Sequence, residues 1–210
     1  MLTPLQERIA TIFAALPEAS DFALAGGAAL IVRGDVDRET RDLDFFATTP
    51  AAVNRLLPRF EEALEEAGMA VEHQQVSHGF VRLEVSASGD QTTVDLCYDS
   101  RIRPAESSRL GPVMAGEELA AGKLLALFSR ALARDFVDVH HLARLYGFER
   151  LCELAVEKDP GFDLAALADA LGAIRRLSRS EFDVDDVTFE RLEQAVAGWR
   201  VAILGQLEEQ

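Results

Sequence analysis

Asp42 and Asp44 stand two residues apart in the segment RDLDFF, with apolar Leu43 between them and Phe45 and Phe46 behind them. In a strand, successive side chains alternate, so both carboxylates point to one face and Leu43 and Phe45 to the other. Two like charges held side by side repel, and a cation between them relieves the repulsion. A further acid, Asp95, sits at the centre of TTVDLCYD, between Val94 and Leu96. If the two strands are neighbours, the sheet presents three acids on one face. Mg2+ accepts such a set, because it takes oxygen ligands, keeps waters and shares its remaining positions with substrate phosphates. Two such ions serve an in-line displacement at phosphorus. Periodicity alone leaves a plainer reading equally open: solvated surface acids in an acidic chain.

Gly26 and Gly27 follow the apolar run DFALA and precede AALIVRG. A glycine pair between a strand and a helix lets backbone N–H groups approach a phosphate at the helix N-terminus. The pair lacks the following Gly-Lys-Ser/Thr of a P-loop and the third glycine of a dinucleotide fingerprint, so by itself it is also a plain tight corner. Further on, Lys123, Leu127 and Arg130 share a helical face by spacing, and Arg134 and Asp138 share another, with Asp135 beside them. Lys123 suits a phosphate as a point charge, and Arg134 and Asp138 suit mutual orientation; the same spacing also fits exposed ion pairs of about 0.3–0.5 kcal/mol each.

Other constellations carry less. His140 and His141 are adjacent, point about 100° apart on a helix and cannot chelate one ion together. DVDRETRDLDFF fails as a calcium loop, with Thr40 where glycine is needed and Phe46 where the final acid belongs. Cys97 and Cys152 match no metal or redox spacing and read as buried free thiols. Arg101, Arg103, Arg109, Arg175, Arg176 and Arg179 offer candidate RNA or partner contacts, with solvated faces the plainer account of most.

The elements that must position these groups follow from pattern and punctuation. A helix is expected over 4–16, stopping at Pro17, then a strand at DFALA, a helix from Gly26, a polar loop over 35–40 and a strand over 41–48. The next helix is capped by Thr49, opened by Pro50 and closed by Gly68, with Pro58 expected to kink or break it. Strands near 69–75, 79–87 and 91–98 form a meander that turns at Ser88-Gly89-Asp90. From Gly116 onward every segment is helical in pattern. The fold class is therefore α/β (α+β) with an all-helical second half, divided at 1–115 and 116–210.

The chain has 210 residues, 49% hydrophobic and 27% charged, which fits a globular protein of one compact domain or two small ones. A formal net charge of −15 excludes a general electrostatic grip on nucleic acid, though not a local basic patch. There is no apolar run of about 20 residues and no basic, apolar leader, so a cytoplasmic location is expected.

Taken in order, Gly26-Gly27, then Arg38-x-Thr40-x-Asp42-Leu43-Asp44, then Lys123, then Arg134-Asp135-x-x-Asp138 resembles the AbiEii/AbiGii nucleotidyltransferase toxins of abortive-infection and type IV toxin–antitoxin systems, within the DNA polymerase β-like superfamily. The resemblance covers residues 20–145. It implies a nucleotidyltransferase-type mixed sheet flanked by helices, with the helical half contributing Lys123 and Asp138 to the site. It also implies Mg2+ held by Asp42 and Asp44, with Asp95 as third carboxylate and candidate base. Gly26, Gly27, Arg38, Thr40 and Arg134 would contact the nucleoside triphosphate, Lys123 would neutralise phosphate charge, and Asp138 would be the distal acid. The implied reaction moves a nucleoside monophosphate onto an RNA 3′ end, notably that of tRNA, and a cognate antitoxin restrains it. Acceptors of protein or small-molecule type, and a non-catalytic nucleotide- or partner-binding role, remain as alternatives.

Overall fold

A computed structural model describes residues 1–36 and 38–209; Asp37, one position of the expected 35–40 loop, lies outside the described residues. The chain forms two compact units, residues 1–119 and 120–210.

The first unit holds α1 (Pro4–Ala15), β1 (Phe22–Ala25), α2 (Gly26–Arg33), β2 (Asp42–Ala47), α3 (Pro50–Glu66), β3 (Ala70–Ser77), β4 (Phe80–Ala87), β5 (Asp90–Tyr98), β6 (Glu106–Ser108) and β7 (Gly111–Val113). The described strands form one sheet in the order β3-β4-β5-β2-β1-β7-β6. β2 lies at its centre, antiparallel to β1 and parallel to β5. The sheet is therefore mixed, as expected.

Side-chain alternation sorts the two faces. Leu43, Phe45, Val81, Leu83, Val85, Val94 and Leu96 are all buried on one face, where α1 and α3 pack. Phe13 of α1 stacks on Phe45 with ring centroids 3.7 Å apart and meets Phe22 and Phe60 edge-on at 5.4 and 5.1 Å. Such an aromatic cluster carries a large share of the burial energy, since truncating one core phenylalanine costs about 3–5 kcal/mol. A cleft of about 260 Å³ on this face is lined by Phe13, Leu16, Phe22, Phe45, Leu110 and Pro112 among others, and none of the acids reaches it.

The helix ends follow local chemistry. Thr3 and Gln6 form a reciprocal capping box on α1, and Pro17 follows its C-cap. Thr49 caps α3 by accepting from the Ala52 N–H. At the other end the Gly68 and Met69 N–H groups close back on Glu65 and Leu64 at 2.9 and 3.0 Å, a Schellman closure with Gly68 at φ +77. Pro58 does not break α3 into two pieces. It and Asn54, whose carbonyl loses its helical partner, are both exposed, so water replaces the missing donor. The hairpin β6–β7 was not foreseen, because three-residue strands are too short to show alternation.

The second unit is helical, as expected. α4 (Gly116–Arg130) runs into it from the first unit, followed by α5 (Ala133–Tyr146), α6 (Phe148–Lys158), α7 (Leu164–Gly172) and α8 (Asp186–Glu208), with 3-10 turns at 173–176 and 179–181. The helical pattern over 116–147 is split at Ala131, which takes the left-handed φ of +47. Asp135 explains the split: its carboxylate accepts the Leu132 N–H at 3.2 Å and starts a new helix there. Phe148 stacks on Trp199 at 4.4 Å, and Phe182 packs on Phe189 at 4.9 Å.

Candidate active site

β1 passes directly into α2, so Gly26 is the first residue of the helix and the N–H groups of its first turn lack helical partners. Gly26 has φ +59, and a Cβ there would lie 1.8 Å from Oδ2 of Asp44. A Cβ on Gly27 would meet Oγ1 of Thr40 at 2.9 Å and a guanidinium nitrogen of Arg38 at 3.0 Å. Both glycines are thus required by close approach: Asp44 lies against the first, Arg38 and Thr40 over the second. Thr40 in turn donates to Oδ1 of Asp42 at 3.0 Å. Gly26, Gly27, Arg38, Thr40, Asp42 and Asp44 are thus gathered at one helix N-terminus, while Arg134 lies on α5 of the second unit.

Register completes the face. Asp44 stands beside Asp95 across β2 and β5, and Asp42 beside Thr93, so all three acids project to the side opposite the apolar core. Asp42 and Asp44 are partly exposed, while Asp95 is 6% exposed. The carboxylates are not drawn into one cluster; among the described residues no three His, Cys, Asp or Glu side chains converge as a metal cage. Both oxygens of Asp95 accept from Arg82, from Nε at 2.8 Å and from an Nη at 2.6 Å. The Asp95 carboxylate, with Asp44 beyond it, raises the guanidinium's pKa above its ordinary value. Cys97, two residues beyond Asp95, is only half-buried, as is Cys152, and not a core thiol. Burial, with the charges of Asp44 and Asp95, pushes the Cys97 thiol up to about 12.

Sequence reasoning missed Arg82. It also missed a buried polar network behind the acids. Gln6 of α1, 1% exposed, accepts at Oε1 from the Thr3 N–H at 2.9 Å as part of the cap. Its Nε2 donates to the Thr40 carbonyl at 3.1 Å and to Oγ1 of Thr92 at 3.2 Å. Thr92 donates onward to the Arg41 carbonyl at 3.1 Å. The segment that carries Thr40 into Asp42 is therefore held by hydrogen bonds from α1 and β5. A capping-box pattern at Thr3-Gln6 was legible; the second use of the same amide was not.

In the second unit, Nζ of Lys123 lies 2.8 Å from Oδ2 of Asp138, with 12% and 0% of the side chains exposed. Arg130 grips Asp135 with two bonds of 2.9 and 2.8 Å. Both pairs join α4 to α5 and both carboxylates are fully buried, so the reading as exposed pairs along one helix is overturned. Asp138 has Lys123 as a partner, and Arg134 is exposed. Leu127, placed on the Lys123 face by spacing, is a buried core residue. Burial lowers the pKa of His140, whose ring faces Trp199 at 6.3 Å.

Four of the six arginines offered as RNA or partner contacts bind their own chain. Arg101 donates to the carbonyls of Asp21 and Phe46, Arg103 to Glu117, Arg109 to Glu7, and Arg179 to Asp186 and two carbonyls. Arg175 and Arg176 are exposed.

The family model of the AbiEii nucleotidyl transferase toxin of type IV toxin–antitoxin systems matches residues 9–198. The chain belongs to this family. It is a nucleotidyltransferase, and as an AbiEii toxin it has a nucleoside triphosphate as substrate and an antitoxin as partner. The fold is also that of JHP933 from Helicobacter pylori, at 19% identity and a TM-score of 0.61, covering 100% of this chain and 96% of that one. MenT4, a nucleotidyltransferase toxin from Mycobacterium tuberculosis, is similar at 19% identity and a TM-score of 0.60, covering 94% and 82%. No protein of curated function matches the chain. Among the described residues, no helix of the AbiEii chain is long and apolar enough to cross a membrane.

The chemistry of the donor set suits a divalent cation. Asp42 and Asp44 offer oxygen only, on one face, beside a helix N-terminus whose glycine leaves room for the carboxylate. Mg2+ needs one or two carboxylates and fills its other positions with water and phosphate. The pair fits.

Proposed function

We propose that this AbiEii toxin transfers a nucleoside monophosphate from a nucleoside triphosphate to the 3′ end of an RNA, a tRNA acceptor end, and releases pyrophosphate. The observation that carries the reading is the packing of Asp44 against Gly26, which sets the acid pair beside the N-terminus of α2. The free N–H groups of that turn, with Arg38 and Thr40 over Gly27, receive phosphate oxygens. Asp42 and Asp44 would hold Mg2+, with Asp95 as third carboxylate. When bound, the cation neutralises charge on the phosphates and orients them for in-line displacement. Asp95 takes the proton of the attacking hydroxyl. Lys123 neutralises phosphate charge, and Asp138, which holds its ammonium, is the distal acid required for activity. Arg134 contributes a further nucleotide contact. The division of labour follows the two units, a nucleotidyltransferase unit and a helical one.

The test is incubation with Mg2+, each of the four α-labelled nucleoside triphosphates and total tRNA, beside the Asp44→Ala variant. Label on RNA that disappears in the variant supports the reading and names the nucleotide. Label on protein or on a small molecule instead would overturn the RNA acceptor while leaving the transferase chemistry in place.

A further inference from the structure

Next to the acids stands a positive charge that the expected site does not contain. Arg82 projects from β4, paired in register with Asp95 on β5, and its guanidinium takes both Asp95 oxygens. The Asp95 side chain is 9% exposed and Arg82 45% exposed, so the acid is fixed in the sheet and the base stands at the solvent edge. Asp44 adds to the attraction from the neighbouring strand. A carboxylate this enclosed is costly to leave uncompensated, and the forked guanidinium satisfies it bidentately. A dication on Asp95 would face that guanidinium at a few ångström, where like charges oppose each other strongly.

We propose that Arg82 is a built-in counter-ion: it holds Asp95 in the nucleotide-free protein and yields it to the incoming divalent cation, so that Arg82 sets the cation affinity. The proposal rests on the reading of Asp42, Asp44 and Asp95 as metal ligands. The sheet thereby remains neutralised at Asp95 when no cation is present. Cation binding is then an exchange at Asp95, and Arg82, the exposed and longer partner, is the one that moves.

The test is calorimetric titration of Mn2+ into the nucleotide-free full-length chain, with thermal unfolding in chelator and in Mn2+ alongside. Arg82→Gln is expected to bind Mn2+ about tenfold more tightly than the parent, to unfold earlier in chelator, and to recover that loss when Mn2+ is added. In an Asp95→Asn background the gain from Arg82→Gln should largely vanish, because the two residues act as one unit. Equal or weaker Mn2+ binding by a folded Arg82→Gln would overturn the counter-ion role. If that variant does not fold, Arg82→Lys carries the test, since it keeps the charge and loses the fork; an affinity gain of about threefold is expected and no gain overturns the proposal. Asp44→Asn separates the two levels. Parent-like Mn2+ binding in that variant would remove the metal-site reading itself, whatever Arg82 does.

Discussion

The Asp44 carboxylate fills the space that a side chain on Gly26 would need: a Cβ on the glycine would stand 1.8 Å from a carboxylate oxygen of the aspartate. The constraint is doubled by the backbone, which holds Gly26 at φ +59. Gly26→Ala should therefore cost stability, roughly 1–2 kcal/mol for the left-handed backbone alone. It should also displace the carboxylate and abolish nucleotidyl transfer. Denaturant unfolding measures the first and label transfer the second. A stable, fully active Gly26→Ala would show that the site relaxes around a methyl group.

The acid pair itself makes the sharper prediction for chemistry. Asp42→Asn and Asp44→Asn keep size and most hydrogen bonds but lose the charge that attracts a cation. Each should lower transfer at least a hundredfold, on the order of what one well-placed electrostatic group supplies, with little change in melting temperature. Unchanged rates in the double variant would sink the site.

Gln6→Leu tests the network behind the acids. It removes donors from the Thr40 carbonyl and Thr92 Oγ1 in a buried setting, at a cost of about 1–3 kcal/mol. Because Thr40 also bonds Asp42, the Michaelis constant for the nucleotide should rise as well. A loss of stability with parent-like kinetics would confine Gln6 to a structural role.

Lys123→Met takes the ammonium away from a carboxylate, Asp138, whose side chain is 0% exposed. A loss of about 3–5 kcal/mol is expected. Adding Asp138→Asn should restore much of the stability and none of the activity. A double variant no more stable than Lys123→Met would mean that the two residues do not act as a pair.

Ala131 offers a gain. An alanine at φ +47 is strained where glycine is not. Ala131→Gly should stabilise the chain by about 0.5 kcal/mol once the greater freedom of glycine in the unfolded state is counted. Chemical denaturation resolves the sign.

How much of this was legible depended on distance along the chain. The strand face of Asp42 and Asp44 follows from alternation over six residues, and the structure keeps it. Arg82 could have been found by counting. The turn at Ser88-Gly89, with both residues at positive φ, sets Ala87 opposite Asp90, and stepping outward brings Arg82 opposite Asp95. Gln6 could not, because its partners lie on a loop and a strand far away in sequence. The helix break at Ala131 was hidden because alanine is a strong helix former; Asp135, which accepts the Leu132 N–H and is gripped by Arg130, shows why the chain turns there.

The parallel pairing of β2 with β5 has a consequence for synthesis. Arg41 and Thr92, joined by a hydrogen bond at the mouth of that pair, are 51 positions apart. When β2 leaves the ribosome it has only β1 beside it, and the strand carrying Asp95 has yet to be made. The face that carries the three acids is therefore assembled late, by a long-range contact that is slow to form.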